Sequence, residues 1–191
     1  MEAVDKGFSA DEKLILKDMV GRELISVDTV IVARGDLSWN TVRLHLDGAD
    51  VDVDNFLGDV EVDELGTIEE FGLLSVRRSS PEKLSLPDVG TDTTVGGIGR
   101  AVTGVFVIVN DVGVYGEGAL VASLSYPQAI AIELDGKYLV LDKETWFSEM
   151  IAVKIGEDPL ALAYDGAADW EDDPDEDPST HYEFSSRVVS L

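Results

Sequence analysis

Ile130-Ala-Ile-Glu-Leu-Asp-Gly-Lys-Tyr-Leu-Val-Leu-Asp142 reads as a β-hairpin closed by Asp135-Gly136. Asp-Gly between two alternating apolar runs is a strong hairpin signal, because a two-residue turn needs positive φ and glycine adopts it without a steric clash. The pattern is echoed 88 residues earlier in Val42-Arg-Leu-His-Leu-Asp-Gly-Ala-Asp-Val-Asp-Val-Asp54, closed by Asp47-Gly48. A two-residue turn there pairs Leu46 with Ala49, His45 with Asp50, Leu44 with Val51, Arg43 with Asp52 and Val42 with Val53. Side chains alternate between faces, so one face carries Val42, Leu44, Val51 and Val53. The other sets Arg43 against Asp52 and His45 against Asp50, and a slip of one residue would turn the valines to water. In the second hairpin Ile130 and Ile132 meet Leu141 and Leu139, while Ala131 and Glu133 meet Val140 and Tyr138. Its second face is mostly apolar, which predicts cover on both sides. The first hairpin is expected to be half exposed.

Two such hairpins predict a mainly β chain, an antiparallel sandwich or open barrel built from two hairpin-based halves. Gly99-Arg100 opens the second half as Gly21-Arg22 opens the first. The offset is 78 residues there and 88 at the hairpins, so a ten-residue insertion around Gly113-Val-Tyr-Gly-Glu-Gly would reconcile a pseudo-repeat. Residues 8–20 predict one short N-terminal helix, with a capping box at Ser9 and Glu12, acids in the first turn and Gly21 at its end. Its apolar stripe, Leu16, Met19 and Val20, suits a plug at the end of a sheet. Strands are expected over Glu23 to Ala33 and Phe71 to Arg77, and a further short element after Asp158.

The expected organisation is one compact domain: an N-terminal helix (1–20), a first β half (21–79), a linker rich in Pro, Ser, Thr and Gly (80–98), a second β half (99–164), an acidic loop (165–179) and a C-terminal strand (180–191). At 191 residues the chain is long enough for one core, or two halves sharing it. Cysteine is absent, which excludes a disulfide framework, a thiol nucleophile and cysteine metal sites. Neither a signal peptide nor an apolar run of membrane-spanning length is visible, so the expected location is cytoplasmic.

Charge dominates the composition. Asp and Glu number 39 against 14 Lys and Arg, for a formal net charge of −25. Such a field repels nucleic acid and anionic membranes and favours a basic partner. Adaptation to a high-salt habitat would produce the same excess. The acids are densest in 165–178, which holds eight and no base. Two prolines and like-charge repulsion predict an exposed loop, tethered at both ends because an alternating strand follows it. Within it Asp169, Trp170, Glu171, Asp172, Asp173, Asp175, Glu176 and Asp177 are the candidate partner-binding residues, an aromatic anchor ringed by acids. A competing role for Trp170 is to fold back and pin the loop.

Catalytic and cofactor signals are weak. Asp50, Asp52, Asp54, Leu57 and Glu61 match much of a calcium-loop spacing. In a strand, however, those carboxylates stand ~7 Å apart along one face, too far to share an ion. A solvated strand face is expected instead. His45 and His181 are the only histidines. Gly96-Gly97-Ile-Gly99-Arg100 precedes a strand rather than a helix, unlike a dinucleotide loop. Arg34-Gly35-Asp36 reads as a turn. No metal or cofactor is expected. The leading expectation is a non-enzymatic acidic protein that neutralises a basic partner, as an immunity protein or nucleic-acid mimic does. The alternatives are a carboxylate-based enzyme, for example glycoside-acting, from a high-salt source, and a self-assembling structural β protein.

Overall fold

The computed structural model describes residues 3–31, 37–61, 68–80, 91–95, 98–170 and 180–191. In chain order the elements are β1 (Ala3–Asp5), α1 (Ala10–Lys17), β2 (Glu23–Ile31), β3 (Leu37–Leu46), β4 (Ala49–Glu61), β5 (Ile68–Arg78), β6 (Thr91–Val95), β7 (Arg100–Gly116), β8 (Ala119–Leu134), β9 (Lys137–Lys143), β10 (Met150–Gly156), α2 (Pro159–Leu162), a 3₁₀ turn (Gly166–Trp170) and β11 (Thr180–Ser190). The fold is mainly β and antiparallel, with one short N-terminal helix, as the two hairpins predict.

Both hairpins take the register that alternation requires. β3 and β4 pair Val42 with Val53, Arg43 with Asp52 and His45 with Asp50. β8 and β9 pair Ile130 with Leu141 and Ile132 with Leu139. At the second turn Asp135 and Gly136 both have positive φ, 53° and 78°, which matches the twist of the flanking strands. A third tight turn, Glu117-Gly118, has the same geometry and joins β7 to β8. It falls within Gly113-Val-Tyr-Gly-Glu-Gly118, the stretch where the pseudo-repeat would place its insertion.

β2 to β5 form one meander, each strand pairing with the next, and β7 to β10 form another. The meanders join through β3 and β10, where Trp39 faces Met150. They meet again through β2 and β7, where Glu23 faces Ala101 and Leu24 faces Arg100. The strand order β3-β10-β9-β8-β7-β2 therefore returns to β3, a barrel of six antiparallel strands. The β2–β7 seam is only two pairs long. Beyond it β2 continues with β6 and β7 continues with β11, so the barrel opens there. β6 lies within the 80–98 stretch.

The interior is the face that alternation selects: Leu24, Val27, Val42, Leu44, Ile130, Ile132, Leu139 and Leu141 are fully buried. Burying one such side chain contributes about 1.5–3 kcal/mol. α1 and the turn after it cover this core with Leu16 and Met19. Its Ser9–Glu12 capping box forms, and the free carboxylate oxygen of Glu12 accepts from the Val76 amide at 3.0 Å, tying the helix to β5. The helix is shorter than 8–20 because residues after Lys17 tighten into i→i+3 bonds, Met19 N to Leu16 O and Val20 N to Lys17 O. Gly21, at φ 89°, then reverses the chain.

One expectation fails. The charged face of the first hairpin is not half exposed at its centre, because Asp52 is fully buried and Arg43 nearly so. β5 lies beside β4 and places Arg77 opposite Asp52. Asp52 thus receives Arg43 from one neighbouring strand at 2.7 Å and Arg77 from the other at 2.7 Å, and the Ser79 hydroxyl donates to it as well.

Candidate functional site

The candidate residues divide at Trp170. Glu171, Asp172, Asp173, Asp175, Glu176 and Asp177 lie outside the described residues. Asp169 and Trp170 lie within them, at the end of the 3₁₀ turn. The Trp170 indole is half-buried in an aromatic cluster. It stacks on Phe71 at 6.3 Å and 25°, lies 5.7 Å from Trp146 and 5.8 Å from Tyr182, and donates through Nε1 to the Tyr126 hydroxyl at 3.4 Å. The ring therefore pins its own segment to the domain.

This cluster fills the gap between two long hairpins. Val60 and Phe71 come from β4 and β5, and Val112, Leu124 and Tyr126 from β7 and β8. Phe71 is held there by the glycine that follows it. The Gly72 amide donates to Trp146 O at 2.7 Å, and a Cβ on residue 72 would collide with the carbonyl of Ser148. Asn55 donates to the carbonyls of Ser148 and Met150 at 2.7 and 3.0 Å, fixing the same loop from the other side.

Beneath the aromatic cluster lies a buried polar network that sequence reasoning missed. Asn110, Gln128, Asp142 and Lys143 are fully inaccessible and Tyr126 nearly so. Asn110 donates to Gln128 Oε1 at 3.3 Å and to the Tyr126 hydroxyl at 3.4 Å. Gln128 donates onward to Asp142 Oδ1 at 3.0 Å and to Lys143 O at 2.8 Å. Lys143 Nζ donates to Gly72 O at 2.8 Å and lies 4.5 Å over the Tyr126 ring. Burial pulls its ammonium down to about 7, because a low-dielectric site disfavours the charged form, and nearby Asp142 offsets this only in part.

Asp142 fastens the segment that leads to Trp170. Its Oδ2 accepts from Lys154 Nζ at 2.7 Å and from the Tyr164 amide at 3.0 Å, and Lys154 also donates to Leu162 O. Burial nevertheless raises the Asp142 carboxyl, outweighing these bonds. Tyr164 Oη donates to Asp169 Oδ1 at 2.9 Å. Desolvation and that bond push the Tyr164 hydroxyl up to about 12. Desolvation likewise raises Asp169, whose second carboxylate oxygen is buried without a hydrogen-bond partner among the described residues.

The remaining motifs resolve structurally. Asp50, Asp52 and Asp54 lie in β4 and are engaged by His45, by Arg43 and Arg77, and by Arg77 and Thr41 respectively. Among the described residues no group of three or more His, Asp or Glu is arranged to hold a metal ion. His45 lies between Asp28 at 2.8 Å and Asp50 at 3.1 Å. Burial acts to lower its pKa, but these two carboxylates raise it overall. His181 packs on Tyr115 at 6.1 Å. Gly99 takes φ 49° in the turn that enters β7. Residues 34–36 and 96–97 lie outside the described residues. No described helix is long and apolar enough to cross a membrane.

A signal for the buried network does exist in the sequence. Asn110 ends the run Val105-Phe-Val-Ile-Val109, Gln128 interrupts Tyr126 to Ile132, and Asp142-Lys143 ends an apolar strand. Polar residues inside apolar runs are expected to find buried partners, but alternation does not say which. No family model, curated protein or solved structure matches this chain.

Proposed function

We propose that the protein is a non-enzymatic acidic binding protein that neutralises a basic protein partner by charge complementarity. The observation that carries this reading is the anchoring of both ends of the acidic stretch. Trp170 enters it and Tyr182 follows it, and their rings lie 5.8 Å apart in one aromatic cluster. Six of the nine residues between Trp170 and Thr180 are Asp or Glu. Fixing both flanks of a segment lowers the ordering cost of binding through it.

The rest of the molecule strengthens the field. Arg43, Arg77, Arg78, Arg100, Lys154 and Arg187 each form an ion pair with an acid of the same chain. Those cations are engaged locally, against a formal net charge of −25 for the chain. Charge of this kind speeds encounter and selects the sign of the partner, while apolar contacts supply most of the affinity. The test is the association rate with the partner followed by stopped flow across salt concentrations. Replacing Asp172, Asp173, Asp175, Glu176 and Asp177 together by Asn or Gln should slow association and flatten its salt dependence. An unchanged rate and slope would remove the stretch from the mechanism.

A further inference from the structure

The inner face of the barrel does not end where its core ends. Along β7 the side chains on that face run Val105, Val107, Val109 and then Asp111, Gly113, Tyr115. The first three belong to the core or pack against it, and the last three line an open trough of about 770 Å3. β11 follows the same change, since its register sets Val189 on Val107, Arg187 on Val109, Ser185 on Asp111 and Glu183 on Gly113. β8 adds Ser123 and Ser125 opposite Gly113 and Asp111. β1 runs parallel to β8 beside Ser123 and Ser125 and contributes Asp5. The trough thus lies past the stretches of β7 and β8 that pair with β2 and β9, with β7 and β8 as its floor and β11 and β1 as its walls. Three strand spacings make it roughly 14 Å across, wide enough for one extended chain with its side chains.

Its chemistry has one sign. No lysine or arginine is among the described residues that line it. Arg187, at the inner end, is locked on Asp111 by bonds of 2.6 and 3.3 Å, and Ser125 donates to the same carboxylate at 2.6 Å. Glu183 on one wall and Asp5 on the other are the outer carboxylates. Glu183 accepts from Tyr115 Oη at 2.9 Å, which orients it. The absence of a side chain at Gly113 lets Tyr115 and Leu120 lie across the floor, giving an aromatic and an aliphatic surface beside the carboxylates. A concave site lined by acids in a strongly anionic protein concentrates the field further. Carboxylates beside an aromatic face suit an arginine or lysine side chain through ion pairing and cation–π contact. The acidic stretch rejoins the fold at Thr180, one residue before His181 in the trough wall.

We infer that this trough receives an extended basic segment of the partner, running along β7 and β8 between Glu183 and Asp5. The inference rests on the basic-partner reading and adds where and how the partner is gripped. The probe is a synthetic peptide of alternating arginine and serine, titrated against the full chain at about 0.15 M ionic strength. A serine–glycine peptide of equal length is the control. Glu183→Gln with Asp5→Asn should weaken binding roughly tenfold, the effect of removing two solvent-exposed ion pairs. Ser185→Trp, which fills the trough without changing charge, should weaken it at least as much, with the fold checked by far-UV circular dichroism.

Binding by the wild-type chain that ignores both variants, yet falls when residues 172–177 are neutralised, would overturn the trough and leave the basic-partner reading standing. Failure of the wild-type chain to prefer the arginine peptide would overturn both. Self-association in sedimentation that Ser185→Trp abolishes would assign the trough to a second copy of this chain, and so also overturn the inference.

Discussion

The rings of Trp170 and Tyr182 lie 5.8 Å apart at an interplanar angle of 54°, so the chain departs before residues 171–179 and rejoins after them at a single point. Trp146 lies 5.7 Å from Trp170 in the same cluster. Indoles this close couple electronically, so near-UV circular dichroism should show a strong tryptophan signal. Either Trp146→Phe or Trp170→Phe should abolish most of it. Trp170→Ala should also lower stability by about 2–3 kcal/mol, less than for a fully buried tryptophan because the ring is only partly buried. A spectrum that simply loses one tryptophan's share in each variant would contradict the packing.

Asp52 is a carboxylate held between arginines from two neighbouring strands. Burial acts to raise its pKa, but the hydrogen bonds from Arg43 and Ser79 and the charges of both arginines hold it below the ordinary carboxylate range. Its stabilising contribution is therefore complete above the unfolded value near 4 and is lost as pH falls through the lower folded value. Asp52→Ala leaves Arg43 buried without its carboxylate and should cost about 3–5 kcal/mol in urea denaturation at pH 7. A cost under about 1 kcal/mol would mean that the arginines regain solvent on their own.

Lys143 acts with the same sign in a higher pH window. Its folded pKa is lowered to about 7, whereas an unfolded lysine titrates near 10.4. Between those values the unfolded chain binds more protons than the folded one, so this residue's contribution to stability rises with pH across that window. Lys143→Met lacks the titration. The stability difference between wild type and variant should therefore shift steadily in favour of wild type from pH 7 to about 10. Parallel pH profiles would place Lys143 in a better-hydrated site than its burial implies.

Gly72 lets the loop carrying Trp146 lie directly on β5. Gly72→Ala meets the Ser148 carbonyl and the Asn55 side chain, so it should destabilise by about 1–3 kcal/mol, the usual effect of overpacking. It should also reduce the near-UV signal by displacing Trp146. Gly118, with nothing within contact distance of an added Cβ, tests a different property. Its positive φ alone should make Gly118→Ala unfavourable, by about 1 kcal/mol.

These residues mark where the sequence is legible and where it is not. Alternation is a local property, so Val42 opposite Val53 and Ile130 opposite Leu141 can be read from two short stretches and one turn. Burial of Asp52 cannot, because it depends on Arg77 arriving from a strand 25 positions away in sequence. The Glu117-Gly118 turn escapes notice because glutamate is an unusual residue at positive φ. Trp170 is visible as an anchor, but its partners Phe71, Trp146 and Tyr182 are dispersed along the chain. The network of Asn110, Gln128, Asp142 and Lys143 is hidden for the same reason, since each residue alone reads as a strand end or interruption. The trough is legible only once register is known, because the switch from Val109 to Asp111 carries meaning when β8 and β11 change with it.

The most direct test of the account is affinity capture from source-cell lysate at about 0.15 M ionic strength. It compares immobilised wild-type chain with the variant neutralised at Asp172, Asp173, Asp175, Glu176 and Asp177. The account predicts one basic protein retained stoichiometrically by the wild type and much reduced on the variant. Retention of nothing would contradict it and would leave the charge to be explained by habitat, whereas equal retention on both surfaces would remove residues 172–177 from the mechanism.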